Sequence, residues 1–188
     1  MMKQQNYKFD GFYTKEVRGP NGNRIGFDVV LVKNDKKSTL ARVEKVINQS
    51  QHSKYKVGNY HVFLHDFEAA ALPVFDSNTV SKIVSHVARI FMIIISSLIF
   101  VFLKDILIID EIGKMELFSQ KFRNEVVKSF FETSNRLFII ATIPQMHKIP
   151  QQHSSLFQKF RTDEKCKIIT VNHQNRNNLP EEIFSLIL

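Results

Sequence analysis

Asp105-Ile106-Leu107-Ile108-Ile109-Asp110-Glu111-Ile112-Gly113-Lys114-Met115-Glu116 is the stretch on which the fold turns. Four aliphatic residues, Ile106 to Ile109, run straight into the carboxylate pair Asp110 and Glu111. A continuous apolar run that ends in turn signals reads as a strand buried on both faces, the kind found in parallel sheets of α/β proteins. Such sheets bind ligands outside the carboxyl ends of their strands, where these two acids would stand. One acid can hold a magnesium ion while its neighbour orients or deprotonates a water, the division of labour that phosphoryl transfer needs. The alternative is a strand end whose acids simply face solvent, because short motifs recur by chance.

Downstream, Phe118, Phe122, Val126 and Phe130 recur at four-residue spacing, with Val127 and Phe131 widening the stripe. This predicts a helix over 118–131 with a phenylalanine core face. Leu137 to Ala141 is a second continuous apolar strand, ending in Thr142, and Lys167 to Val171 is a third. Between them, 145–160 reads as a loop and then a short helix. Pro180, followed by Glu181 and Glu182, opens a closing helix. Upstream, Gly11 to Val17 and Arg24 to Val32 form a hairpin around Gly19-Pro20-Asn21-Gly22-Asn23. Ser38 to Val46 returns as another strand after the Asn34 to Lys37 turn, 44–56 is an exposed loop, and Gly58 to Leu64 alternates like a strand. His61 and His65 share a face only on a helix, so this pair is not expected to bind metal. Asp66 is the expected N-cap of a helix running to Leu72.

The chain has 188 residues and 44% apolar content, as expected for a single globular domain over 1–188. Its formal charge of +8 favours polyanionic partners in general. The basic residues are scattered, however, and no nucleic-acid motif is present. Cys166 is the only cysteine, which points to a reducing compartment and a small core residue. The N-terminus lacks a signal-peptide apolar region, so a cytoplasmic or nuclear location is expected. Ile90 to Leu103 carries no charge. A membrane-spanning helix needs roughly 20 apolar residues, so this run fits a core or interfacial segment, with membrane association as the alternative.

Several stretches occur together in order. They are Gly11 to Arg18, Arg24 to Asp28, Leu40 to Val43, Val57 to Tyr60, Phe67-Glu68 with Ala71 to Val74, Ile109 to Ser119, Ala141 to Pro144, and Asn175-Arg176. In this the chain resembles the nucleoside-triphosphatase family that includes the THEP-type and cancer-related enzymes, over nearly its whole length apart from 76–104. The resemblance implies an α/β, P-loop NTPase-like fold with a mostly parallel sheet flanked by helices. It implies Mg²⁺-dependent hydrolysis of ATP, GTP and other nucleoside triphosphates to the diphosphate and phosphate. Asp110 would take the Mg²⁺, directly or through water, and Glu111, the catalytic residue, would polarise the attacking water. Ile106, Leu107, Ile108, Ile109, Asp110, Glu111, Ile112 and Gly113 would form the segment beside the nucleotide, and Thr142 could sense the γ-phosphate. Arg18, Arg24, Lys114 and Arg176 are accessory candidates for stabilising charge.

Two departures temper this expectation. The family opens with a strand, a G-x-x-x-x-G-K-[ST] loop and a helix, and the chain begins just after them. The only Gly-Lys, Gly113-Lys114, is followed by Met115. The backbone cradle, phosphate lysine and Mg²⁺ hydroxyl of that loop are therefore not in the sequence, and weak hydrolysis or none is expected. A catalytically dead nucleotide-binding or regulatory module is the alternative. Relative to the family, 76–104 is an apolar insertion. Together the two departures fit a truncated or mis-spliced product.

Overall fold

The computed structural model describes residues 8–76, 105–132 and 137–187. Within them the chain forms two compact units, Met1–Lys148 and Ile149–Leu188. The expectations for Ile90 to Leu103 lie outside the described residues. Among the described residues, no helix is long and apolar enough to cross a membrane.

The first unit is built on a seven-stranded mixed sheet, ordered β4-β5-β3-β2-β1-β6-β7. β1 (Lys8–Arg18) and β2 (Arg24–Leu31) form the expected hairpin, and β3 (Lys37–Val43) pairs antiparallel to β2. β4 (Lys56–Val57) and β5 (Tyr60–Val62) continue the antiparallel side. The parallel part is confined to β1, β6 (Asp105–Ile109) and β7 (Leu137–Ala141). Hairpins need only short turns, whereas a parallel return needs a long crossover, so the contiguous N-terminal strands give the sheet its antiparallel half.

β1 and β6 come together so closely at Gly11 that only glycine fits. Its φ is +116°, and a Cβ there would stand 1.9 Å from the Ile108 carbonyl oxygen. One residue on, Phe12 is fully buried and meets Phe67 and Phe122 at ring-centroid distances of 6.0 and 5.9 Å. Phe67 lies on α1 (Leu64–Ala71), and Phe122 on α2 (Gln120–Val127). Their rings pack edge-on at 5.1 Å, which closes an aromatic core over one sheet face. Burying each phenylalanine contributes about 1.5–3 kcal/mol.

Three local expectations shift. α1 starts at Leu64, because the Phe63 N–H is tied to the Leu40 carbonyl and the Phe63 carbonyl accepts from Phe67. Asp66 therefore sits in the first turn rather than at the N-cap, and its charge still suits the helix dipole there. The helix expected over 118–131 begins as a separate 3-10 turn, Glu116–Phe118, and Ser119 then caps α2 by accepting from the Phe122 N–H at 3.0 Å. Beyond Val127 the chain continues as a π-helical turn, Lys128–Glu132. The wider winding rotates the stripe, so Phe122 and Val126 are buried while Phe130 and Phe131 are half-buried.

The second unit contains α3 (Ser154–Thr162), with Leu156, Phe157 and Phe160 buried, and α4 (Leu179–Ile187). Glu181 and Glu182 occupy the first turn of α4, with Pro180 its second residue. The strand expected over Lys167 to Val171 does not form, and Ile168 and Val171 are 48% and 58% exposed. A strand persists only where a ladder takes up its backbone groups, and no described strand pairs with this segment. Cys166, expected on that strand, is half-buried instead.

Candidate functional site at the carboxyl ends of β6 and β7

β6 carries its aliphatic side chains into the core: Ile106, Leu107 and Ile109 are buried and Ile108 half-buried. These residues present no polar group, and their part is to fix where the strand ends. Just beyond that end, Asp110 is gripped from both neighbouring strands. Thr142, following β7, donates its hydroxyl to Asp110 Oδ1 at 2.5 Å. Thr14, on β1, donates its hydroxyl to the Asp110 carbonyl at 2.6 Å and its N–H to Oδ2 at 3.4 Å. The backbone repeats the clamp, with the Asp110 N–H donating to the Phe12 carbonyl at 3.1 Å and the Thr142 N–H to that of Ile109 at 3.0 Å.

Glu111 is exposed and turns back toward Gly113, whose hypothetical Cβ would stand 2.7 Å from Glu111 Oε1 and 2.9 Å from Glu116 Oε2. Gly113 thus leaves room for two carboxylates to converge. Its N–H donates to Glu116 Oε2 at 3.1 Å, and the Ile112 N–H ties the loop to the Thr142 carbonyl at 2.9 Å. Glu116 is 3% exposed, and burial pushes its carboxyl up to about 8, helped by the charges of Glu111 and Asp110 and opposed by backbone hydrogen bonds. Burial and then Asp110 raise Glu111 as well. Three acids therefore share one loop, and one of them is held protonated at neutral pH. The exposed groups are all oxygen donors, a set that suits a hard divalent cation rather than zinc or copper.

Thus Asp110, Glu111, Ile112, Gly113 and Thr142 come together. Lys114 is exposed on the turn beyond Gly113. Arg18 and Arg24 are engaged elsewhere, both paired with Glu16 at the hairpin end, where Arg18 also donates to the Gly22 carbonyl at 2.6 Å. Arg18 is four residues past Thr14 on the same strand, about 13 Å farther along at the usual strand rise. Arg176 belongs to the second unit, where its N–H donates to the Asn172 carbonyl.

Two contributors escaped the sequence reading. Thr14 lay within the quoted Gly11 to Arg18 match, but nothing in a β-branched strand residue announces a hydrogen bond to a residue 96 positions away. Glu116 closed the opening stretch. Its one signal was an acid set between Met115 and Leu117, and such a residue is buried only when its carboxyl finds a partner.

The family profile described as NTPase matches residues 1–87 and 76–184. Nucleoside-triphosphatase THEP1 of Thermotoga sp. (strain RQ2) is 33% identical over 177 residues, covering 94% of this chain and 79% of that protein. The human cancer-related nucleoside-triphosphatase is 33% identical over 187 residues, covering 100% and 85%. Among solved structures, the crystal structure of THEP1 from the hyperthermophile Aquifex aeolicus superposes with a TM-score of 0.67 at 30% identity, over 95% of this chain and 83% of that one. The solution structure of the human cancer-related enzyme gives 0.65 at 34%, over 95% and 81%. With the parallel core and the acid-bearing strand end in the same chain, the α/β fold is of the P-loop NTPase class, and the chain belongs to the NTPase family.

Proposed function

We propose that the chain carries the water-activating half of a nucleoside-triphosphate hydrolase site, with Glu111 as general base and Asp110 as the Mg²⁺ ligand. The observation that carries this is the clamp on Asp110. Thr14 and Thr142 fix its carboxylate between two parallel strand ends while Glu111, the next residue, faces solvent. Mg²⁺, when bound, neutralises charge on the phosphate oxygens. The Glu111 carboxylate takes a proton from water as the water oxygen attacks the γ-phosphorus. The bond to the β–γ bridging oxygen breaks, leaving the nucleoside diphosphate and inorganic phosphate. A carboxyl whose proton affinity is raised is a stronger base than an ordinary one, which suits that role. Thr142 orients Asp110 by donating its one hydroxyl proton to Oδ1.

The 188 residues contain no G-x-x-x-x-G-K-[ST] segment to hold the β- and γ-phosphates. Turnover by these residues alone is therefore slow, and the outer edge of β7, which has no partner among the described strands, is where a further parallel strand leading into such a loop fits. Phosphate release from ATP and GTP, with Mg²⁺ and with a chelator, tests the reading. Glu111→Gln is expected to lower the Mg²⁺-dependent rate by about 100-fold or more, the usual range for a general base. A native rate that Glu111→Gln leaves untouched overturns the assignment. That these 188 residues hold no phosphate cradle favours a second reading, a module that binds nucleotide without turning it over. Nucleotide binding with no phosphate release, even when a phosphate loop is supplied, would select it.

A further inference from the structure

A second cluster lies on the opposite side of the sheet. Glu44 follows β3, His52 ends the 3-10 turn Gln49–Gln51, and His61 is the middle residue of β5. One potential ligand atom from each lies within 4.8 Å of the other two. β5 is separated from β6 by β3, β2 and β1, which at the usual strand spacing is about 19 Å. This cluster is therefore distinct from the Asp110 site.

His61 makes the cluster more than a chance gathering. Its side chain is 1% exposed, and its Nε2 has no hydrogen-bond partner among the described residues, although Glu44 Oε2 lies 3.9 Å away. A buried polar atom left unmatched is uncommon and costly. The other ring nitrogen is fully provided for. The Ser53 N–H donates to Nδ1 at 3.0 Å, which leaves the ring proton on Nε2 in the ion-free chain. An ion that displaces this proton shifts it to Nδ1, where the Ser53 carbonyl 3.2 Å away accepts it, and the Nε2 lone pair then faces the ion between Glu44 and His52. Metal-ligating histidines are oriented in this way, one ring nitrogen on the ion and the other donating to a carbonyl. The His52 ring lies 4.6 Å from that of His61, centroid to centroid, at 31°.

We infer that Glu44, His52 and His61 form a binding site for a zinc-class divalent ion, with a fourth position open to water. Two imidazoles and a carboxylate are a donor set for zinc, and imidazole disfavours Mg²⁺ or Ca²⁺. Tetrahedral coordination at zinc distances needs ligand atoms about 3.3 Å apart. The cluster is up to 4.8 Å across and must contract by about an ångström or more. The exposed His52 and the 57%-exposed Glu44 side chain can supply that movement, while His61 stays anchored in the sheet. Lys56 Nζ stands 3.7 Å from the same Glu44 oxygen, and its side chain is 46% exposed, so it can swing out as the ion enters. The loop is preformed, with Asn48 and Gln51 completing a capping box and Tyr55 packed on Phe118 at 5.2 Å. Bound zinc would staple that loop to β5.

The test titrates the full chain with Zn²⁺ by calorimetry and with Co²⁺ by visible absorption. One ion per chain is expected, with the intense d–d bands of a four-coordinate cobalt and a raised Tm. His52→Ala and Glu44→Gln change exposed residues. Each is expected to weaken binding at least tenfold and to remove the Tm rise while leaving the metal-free Tm unchanged. His61→Gln is the stronger change, and because it can also unfold β5 it is read only alongside the other two. Absence of stoichiometric binding, or binding that survives the His52→Ala, Glu44→Gln double variant, overturns the site.

Discussion

β6 has two parallel neighbours in matching register, and they differ in how far they are finished. On one side, β1 pairs residue for residue from Lys8 opposite Asp105 to Phe12 opposite Ile109, and Phe12 is sealed beneath α1 and α2. On the other side, β7 pairs over the same length, from Leu137 opposite Asp105 to Ala141 opposite Ile109. Yet all five of its residues are only half-buried, and among the described strands its outer edge has no partner. An apolar strand of the sequence Leu-Phe-Ile-Ile-Ala suits a position buried on both faces. The strand end that bears Asp110 and Glu111 is therefore held by a complete wall and an incomplete one. The open edge of β7 is both a liability for association and the place where further chain is expected to pair.

The largest expected effect asks whether water enters from the unfinished side. Glu116 is buried in the loop that Ile112 ties to the Thr142 carbonyl, with its carboxyl pushed up to about 8 against 4.5 for an ordinary glutamate. Between those values the folded chain keeps a proton that the unfolded chain has released. Stability from this group is therefore unaffected below pH 4.5, falls as pH rises, and levels off above about 8. At about 1.4 kcal/mol per pKa unit, the loss across the window is at most about 5 kcal/mol. Glu116→Gln mimics the protonated acid and should flatten the profile, measured by denaturant midpoints at several pH values. A native profile that the substitution leaves unchanged would mean that solvent reaches the loop past β7.

The next effect compares the walls themselves. Phe12→Ala removes the centre of the aromatic core and should cost about 3–5 kcal/mol. Ile140→Ala on half-buried β7 should cost less than about 2 kcal/mol, because part of that side chain is already in water. Equal costs in urea denaturation would break the contrast. β7 would then be covered in solution by chain beyond the described strands.

The same contrast explains what could be read from sequence. Continuous aliphatic runs gave β6 and β7, and Gly-Pro-Asn-Gly marked the first hairpin turn, because buried strands and tight turns are dictated locally. Lys167 to Val171 has a similar β-branched run, Ile168-Ile169-Thr170-Val171, and does not form a strand. Pattern reports what a segment can bury, not whether a partner strand exists beside it. Asp110 and Glu111 were legible because acids directly after an apolar run are chemically out of place. Thr14 and Glu116 were not, since their importance comes from register and burial that only the assembled sheet creates. The Glu44, His52 and His61 cluster was hidden for the same reason. The helix-like spacing of His61 and His65 drew attention to the wrong neighbour, and His65 is almost fully exposed beside Asp66.

The smallest effect bears most directly on the site, because a threonine hydroxyl from each wall holds Asp110. The Thr14 hydroxyl donates to its carbonyl at 2.6 Å from β1, and the Thr142 hydroxyl to its carboxylate at 2.5 Å from the end of β7. Thr→Val keeps the shape of each side chain and deletes only the hydroxyl. In the half-buried setting of Thr14, the loss should be about 1 kcal/mol, typical of a neutral hydrogen bond. Thr142 is exposed, and although its acceptor is charged, water can replace the lost donor, so Thr142→Val should cost less than that in stability. If Asp110 takes the proposed Mg²⁺, activity should invert the order, because the Thr142 bond fixes a carboxylate oxygen and the Thr14 hydroxyl fixes only backbone. The two variants are separated by pairing thermal denaturation with phosphate release at saturating Mg²⁺. If Thr14→Val lowers the rate more than Thr142→Val, the finished wall positions the chemistry and the role given to Thr142 is wrong.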